Sequence, residues 1–334
     1  MNFNISSTLL EKMWNTIVDK GISALLRPWQ MKRENQARLE CLRDEKIQTI
    51  KMNSEAKQLQ NSLDNTPSTI ANTTTQIKQI ASEVINTKLQ EMVREEISIA
   101  KAVEHACEYI EKENLKDEKP QEKPTLDWLN KWKKNAQEFS DNNMLMLWGQ
   151  ILAGEFAAPG KYSYKFLDWM SNLTSNDACL ISKLMENVFD NIYYRGENID
   201  QDMPLTYSEL LTLQELDVIQ GVEASGMSLT CRTSQKGLFT KAFLSANLKK
   251  IILAEHSDST KEIKINNPCP LTRIGIAVKS LCNTTSNPRM IQLIGEHIAK
   301  QGFDVYCADV RSIENNNIDY FNKTKIKFNN QNNL

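Results

Sequence analysis

Histidine is nearly absent from this 334-residue chain: there are three, His105, His256 and His297, each isolated in sequence. The seven cysteines (Cys41, Cys107, Cys179, Cys231, Cys269, Cys282 and Cys307) are odd in number and contain no C-x-x-C pair. Neither a zinc site nor a disulfide framework is written in that spacing, and reduced thiols in the cytoplasm are the expectation. Long apolar runs are missing as well. No stretch reaches the roughly 18 to 20 residues that a membrane-spanning helix needs. No basic region followed by an apolar run and a small-residue cleavage site is found, so no signal peptide is read. An excess of either charge is also lacking: 40 Lys and Arg face 42 Asp and Glu, for a net charge of −2. A uniformly basic, nucleic-acid-seeking surface is therefore not expected. Aromatics make up 7% of the chain, so the apolar core is expected to be modest.

The signatures of common chemistries are missing too. There is no GxxxxGK[ST] for a phosphate loop, no GxGxxG after a strand, and neither HExxH nor GxSxG. No cofactor, no bound metal and no enzymatic activity are expected. Neighbouring carboxylates such as Asp44-Glu45 and Glu95-Glu96 lie in charged helical segments and read as solvated faces. His105, flanked by Glu104 and Glu108, reads as a surface histidine.

What is present is helical periodicity. Residues 7–26 place Leu9, Leu10, Met13, Trp14, Ile17, Val18, Ile22, Leu25 and Leu26 at three- and four-residue spacing, with Ser6 or Ser7 as cap. Arg27-Pro28 is expected to end this helix. Residues 29–63 form a charged helix with a thin apolar stripe, residues 65–75 a break, and residues 76–113 a second long helix. Residues 112–124 (KENLKDEKPQEKP) read as a linker.

Residues 126–184 then hold four of the six tryptophans: Trp128, Trp132, Trp148 and Trp169. Thr125 caps a first helix there and Ser140 or Asp141 a second, which ends at Pro159-Gly160. Two further helices follow, over residues 162–173 and 177–191, and connections this short imply antiparallel neighbours. Beyond Pro204 the pattern predicts a helix over 205–219, β-like runs at 227–231, 250–255 and 262–265, helices over 271–281 and 288–301, and a strand over 303–310. The runs 250–255 and 262–265 flank a polar turn and are expected to pair as a hairpin, which gives the order of a winged-helix-like module. The Asn-rich tail from Glu314 is expected to be poorly ordered unless it docks on something.

Several residues carry a structural and a functional reading together. Trp128, Trp132 and Trp148 fit a packed core or a ligand cage, and their helical spacing favours the core. Glycine at 154 permits close helix contact, and Glu155 is placed to bond the N-terminus of the next helix near Tyr162 and Ser163. Arg232, Lys236, Lys241, Lys249, Lys250, Lys261, Lys264 and Arg273 are candidate nucleic-acid contacts, diluted by Glu255, Asp258 and Glu262.

One stretch resembles a known group of proteins. Trp148, Ile151, Leu152, Ala153, Gly154, Glu155, Pro159, Gly160, Ser163, Leu173, Thr174, Asp177 and Ala178 match the hallmark of an uncharacterised bacterial family, a domain of unknown function. That hallmark is a W-x-x-[IL]-L-A-G-E run, a Pro-Gly with a Ser, and a Leu-Ser/Thr-x-x-Asp-Ala step. The N-terminal entry GISALLRPWQMKRENQARLE and the step Pro270-Leu271-Thr272-x-x-Gly275 stand where that family has them. The layout is also similar to abortive-infection alpha proteins, bacterial phage-defence candidates. The resemblance implies a bacterial cytoplasmic or membrane-peripheral protein serving host defence, and it transfers no catalytic residue.

The resulting expectation is a mainly α protein: long N-terminal helices (1–115), a linker (116–124), a central Trp-rich helical bundle (125–200), a C-terminal α+β winged-helix-like domain (201–312) and a polar tail (313–334). Its leading function is a non-enzymatic interaction protein of anti-phage defence, a homo-oligomer assembling through the N-terminal helices and meeting a phage or host protein. The alternatives are a winged-helix nucleic-acid regulator and a membrane-perturbing effector that contacts lipid through residues 7–33.

Overall fold

The computed structural model describes residues 8–22, 68–195, 203–224, 226–233, 237–314 and 317–327. Two compact units divide the chain, residues 1–171 and 172–334. The boundary falls within the stretch expected to be one bundle of four helices. Nine helices and nine strands in three antiparallel sheets occur among the described residues, so the fold is α+β and the mainly α expectation is corrected. The charged helix expected over 29–63 lies outside the described residues.

The first unit is helical. Helix α1 (Thr8–Asp19) buries Leu9, Leu10, Met13 and Ile17. It ends earlier than Arg27-Pro28, because Gly21 takes a left-handed φ of 63° that a side chain disfavours. The N–H of Ile22 reaches the carbonyl of Ile17 and that of Gly21 the carbonyl of Val18, a Schellman ending with Ile22 buried below it. Helix α2 (Ser68–Lys112) is 45 residues, about 68 Å at 1.5 Å per residue. It includes the threonine-rich stretch read as a break, since modest helix propensity is overridden within a long helix. Asn114, at φ 48°, closes it in the same way as Gly21 closes α1.

Helices α3 (Leu126–Ala136), α4 (Asn142–Ala157) and α5 (Tyr164–Ser171) complete the unit. Thr125 and Asp141 cap α3 and α4 as expected, by accepting from backbone N–H groups of the first turn. Helix α4 lies against α2 at Gly149, where an added Cβ would meet the carbonyl oxygen of Ala102 at 2.6 Å. The apolar face of α1 packs on α2 and α4. Another helix, a second copy or lipid was expected to cover that face; over the described residues, helices of its own chain do.

The segment read as a linker is built into this unit. The Asp117 carboxylate meets the Lys12 ammonium of α1 at 3.0 Å, with both side chains almost fully buried. Lys12 also donates to the carbonyl oxygens of Lys119 (2.9 Å) and Phe156 (3.3 Å), and the Glu118 N–H donates to that of Ala157.

The second unit mixes helix and sheet. Its helices are α6 (Ser175–Met185), α7 (Tyr207–Glu215), α8 (Arg273–Lys279) and α9 (Pro288–Ala299). Strands β1 (Val188–Phe189), β2 (Ile192–Tyr194) and β7 (Pro268–Pro270) form one sheet in that order. The prolines of β7 are tolerated because it is an edge strand. Strands β3 (Ser228–Cys231) and β6 (Ile263–Asn266) form a pair. Strands β4 (Phe239–Leu244), β5 (Lys250–His256), β8 (Asp304–Glu314) and β9 (Asn317–Lys325) form the largest sheet, in the order β4-β5-β8-β9.

The expected hairpin between 250–255 and 262–265 therefore does not exist. Strand β5 pairs with β4 and β8, while β6 pairs with β3 in another sheet. With four apolar residues in a row, Ile251 to Ala254, β5 is buried on both sides and suits a central strand, which a two-stranded wing would leave bare. The tail docks: residues 317–325 add to β8 as the edge strand β9. Lys323, Lys325 and two register irregularities guard that edge against further pairing.

Candidate functional site

The tryptophans form core. Trp132 and Trp148 are fully buried and Trp128 is nearly so. The indole N–H of Trp128 donates to the carbonyl of Tyr162 (2.7 Å), and that of Trp132 to the carbonyl of Trp148 (2.9 Å). Each ring thus ties α3 to a neighbouring segment while filling the interior. The Trp148 indole N–H is buried with no hydrogen-bond partner among the described residues, and the Phe139 ring lies 6.1 Å from its ring centre. Trp169, the fourth of the group, lies 5.9 Å from the ring of Phe166, which stacks on Tyr162.

Gly154 and Glu155 brace the turn between α4 and α5. A Cβ at Gly154 would stand 2.9 Å from the ring of Tyr162, so glycine lets that ring lie against the helix. Pro159 stops α4 and Gly160 turns the chain with φ 87°. The Glu155 carboxylate accepts from the backbone N–H of Gly160 (2.7 Å) and of Tyr162 (2.9 Å). Burial raises the Glu155 carboxyl above its ordinary range; the N–H groups of Gly160, Tyr162 and Lys161 and the Lys161 ammonium pull the other way. Lys161 is itself pushed down by burial.

An acid whose folded pKa is raised binds its proton more tightly when folded. Its contribution to stability is most favourable at low pH and is lost as pH rises from the unfolded value through the folded one. Glu155→Gln presents an amide N–H₂ to one of the two backbone donors and should cost about 1 to 3 kcal/mol at neutral pH. The stability gap between wild type and this variant should widen as pH falls toward the ordinary carboxyl range. Denaturant unfolding of both proteins across that range checks the sign; a gap independent of pH would show that Glu155 is not perturbed.

Asp177 lies in the second unit and has a local role. Thr174 and Asp177 form a reciprocal capping box at the start of α6, each side chain accepting the other's backbone N–H. The step Pro270-Leu271-Thr272-x-x-Gly275 is also structural. Thr272 caps α8, its N–H donates to the carbonyl of Val218, and a Cβ at Gly275 would stand 2.1 Å from that same oxygen.

The four main candidate nucleic-acid contacts do not share a strand pair. Lys250 lies on β5 and bridges to Asp309 of β8, and Lys249 precedes it and reaches Asn283. Lys264 lies on β6, where its backbone bonds to Gln301 and His297, and Arg273 opens α8. Of the wider set, Lys241 pairs with Asp190, Arg232 with Glu262, and Lys261 lies over the ring of Phe303. Lys236 lies outside the described residues. Carboxylates placed across the strands thus offset much of the positive charge.

Among the described residues, no three of His, Cys, Asp and Glu are grouped to hold a metal, and no helix is long and apolar enough to cross a membrane. The chain instead presents an apolar stripe that the sequence reading passed over. Along α2, Ala81, Ile85, Leu89, Met92, Ile99, Val103, Ala106 and Ile110 lie on a single helical face, interrupted by Glu96, which pairs with Lys133. From Ile99 to Ile110 that face is buried beneath the rest of the unit. Ahead of it, Val84 (54% exposed), Ile85 (51%) and Met92 (59%) are exposed among the described residues, with Leu89 half-buried between them and Val93 half-buried just beyond. The three- and four-residue spacing of these apolar residues was the available signal.

A family model described as "Protein of unknown function (DUF2806)" matches residues 84–192, from the exposed stretch of α2 through the Trp-rich helices to β2. No curated protein and no solved structure matches the chain. Over residues 84–192 the chain therefore carries a domain similar to this family of unknown function.

Proposed function

We propose that this chain is a non-enzymatic interaction protein whose binding surface is the exposed stretch of α2. The carrying observation is one helical face that passes from buried to exposed apolar residues on either side of Glu96. The stripe that buries Ile99, Val103 and Ile110 runs on past Glu96 into Val84, Ile85 and Met92, which the described residues leave open. Large apolar side chains grouped on an exposed helix face mark association surfaces, because water contact at each costs free energy that a partner removes. The host-defence setting and a bacterial cytoplasmic location rest on the resemblance to abortive-infection alpha proteins.

A photo-crosslinking amino acid at position 84, in the chain expressed in bacteria, tests the surface. Irradiation should give an adduct of higher mass on a denaturing gel, and the same label at Lys101, on the far side of α2, should not. No adduct at position 84 would end the interaction reading. The defence setting has its own test, phage plaque counts with and without the chain. Equal counts across a varied phage panel would remove the setting and leave the surface.

A further inference from the structure

We infer that Tyr193, Arg195 and Cys269, in the second unit, form a buried site for a small inorganic anion of the size of chloride. The first ground is where the backbone puts them. Strands β2 and β7 pair antiparallel with Tyr193 directly opposite Cys269. Arg195 follows β2 two residues past Tyr193, and residues two apart on a strand share a face. The Arg195 guanidinium bonds to the Cys269 sulfur, which holds the three side chains together on that face. Tyr193 and Cys269 are 0% exposed and Arg195 is 8% exposed.

The second ground is unmatched donors. The guanidinium donates to the carbonyl of Val222 and lies 5.6 Å from the centre of the Tyr207 ring, but its Nε–H has no hydrogen-bond partner among the described residues. The Tyr193 hydroxyl has none either. Burial pushes that hydroxyl upward, and the backbone of Leu205 pulls the other way from beyond bonding distance. Two buried polar atoms without partners therefore belong to side chains that flank the same thiol, and each such group is costly in a native fold.

The third ground is charge. A buried guanidinium needs a counter-charge, and no carboxylate among the described residues pairs with this one. Glu209, whose charge reaches Tyr193, is held by the Lys183 ammonium at 2.6 Å and by the Thr206 N–H at 2.8 Å. Cys269 does not supply the charge, because burial pushes its thiol up by more than Arg195 pulls it down, and it keeps its proton at neutral pH. The three side chains thus present N–H, O–H and S–H donors around one positive charge. A water accepts from two of them and leaves the charge unmatched. A small anion accepts from all three and neutralises it. The near-complete burial of every member restricts the ion to one of very few atoms.

An ion that binds only the folded protein stabilises it by mass action. Melting of the full chain is measured in sodium gluconate, whose anion is too large to enter, and again with chloride in its place at constant ionic strength. Chloride should raise the melting temperature of the second unit by about 3 to 8 °C, and amide hydrogen exchange in β2 and β7 should slow with it. Tyr193→Phe removes a hydroxyl that has no partner to lose, so it should melt in gluconate as the wild type does, yet lose at least about half of the chloride shift. Arg195→Gln should abolish the shift. Crystals soaked in bromide should show anomalous scattering beside Arg195 Nε and the Tyr193 hydroxyl. A wild type indifferent to chloride, a shift kept in full by Tyr193→Phe, or bromide found only elsewhere overturns the site. Should Arg195→Gln fail to fold, Tyr193→Phe and the bromide position decide alone.

Discussion

Trp132→Ala should cost the first unit about 3 to 5 kcal/mol, the range for emptying a buried indole site. The ring is fully buried, and its N–H bonds to the carbonyl of Trp148 at 2.9 Å. Alanine therefore leaves a cavity and removes the tie between α3 and α4. For a unit of this size the loss corresponds to a fall of about 6 to 20 °C in melting temperature. Trp132→Phe keeps most of the apolar ring and loses the hydrogen bond, so it should cost clearly less. Circular dichroism melts of the three proteins decide the matter. An alanine variant that melts within a degree or two of wild type would mean that Trp132 does not fill the core.

The second large effect is expected far from the tryptophans. Asp117→Ala leaves the Lys12 ammonium buried with two carbonyl oxygens and no carboxylate. Uncompensated buried charge of this kind costs about 3 to 5 kcal/mol. Because the pair joins α1 to the 112–124 segment, the loss should appear first as release of α1. Amide hydrogen exchange at Leu9, Met13 and Ile17 should speed up while exchange in α4 changes less. Replacing both partners at once, Lys12→Met with Asp117→Leu, removes the stranded charge and should recover most of the stability. If the single and double variants lose stability equally, the pair acts through packing alone.

The same pair shows why the segment 112–124 was misread. Two prolines and many charges are the composition of a spacer, and nothing local distinguishes Asp117 from its exposed neighbours. Its partner lies 105 residues away in α1. The apolar face of α1 was legible in the spacing of Leu9, Met13 and Ile17, but the helices that cover it are distant in sequence, so its own chain, a second copy and lipid all stood open as its cover. On α2 the exposed stripe was equally legible in spacing and was passed over, because which part of one helical face is covered depends on where α4 packs.

Local chemistry was readable from the sequence by itself. Thr125 and Asp141 cap the helices they precede, Pro159-Gly160 ends α4, and Pro288 opens α9, because caps and turns use groups within a few residues of each other. The buried tryptophan face of α3 and α4 followed from helical spacing, and the brace by Glu155 from its place one short turn before Tyr162. Only the tertiary structure decided which strands meet. Strands β5 and β6 are near in sequence, yet β5 pairs with β8, some fifty residues on, and β6 pairs with β3. The polar tail, expected to be poorly ordered unless it docks, does dock over residues 317–325 as β9, because β8 offers it a free row of backbone donors and acceptors. Helix ends are settled by bonds that span four residues, whereas a strand's partner is chosen by burial summed over the whole sheet, which no short window of sequence contains.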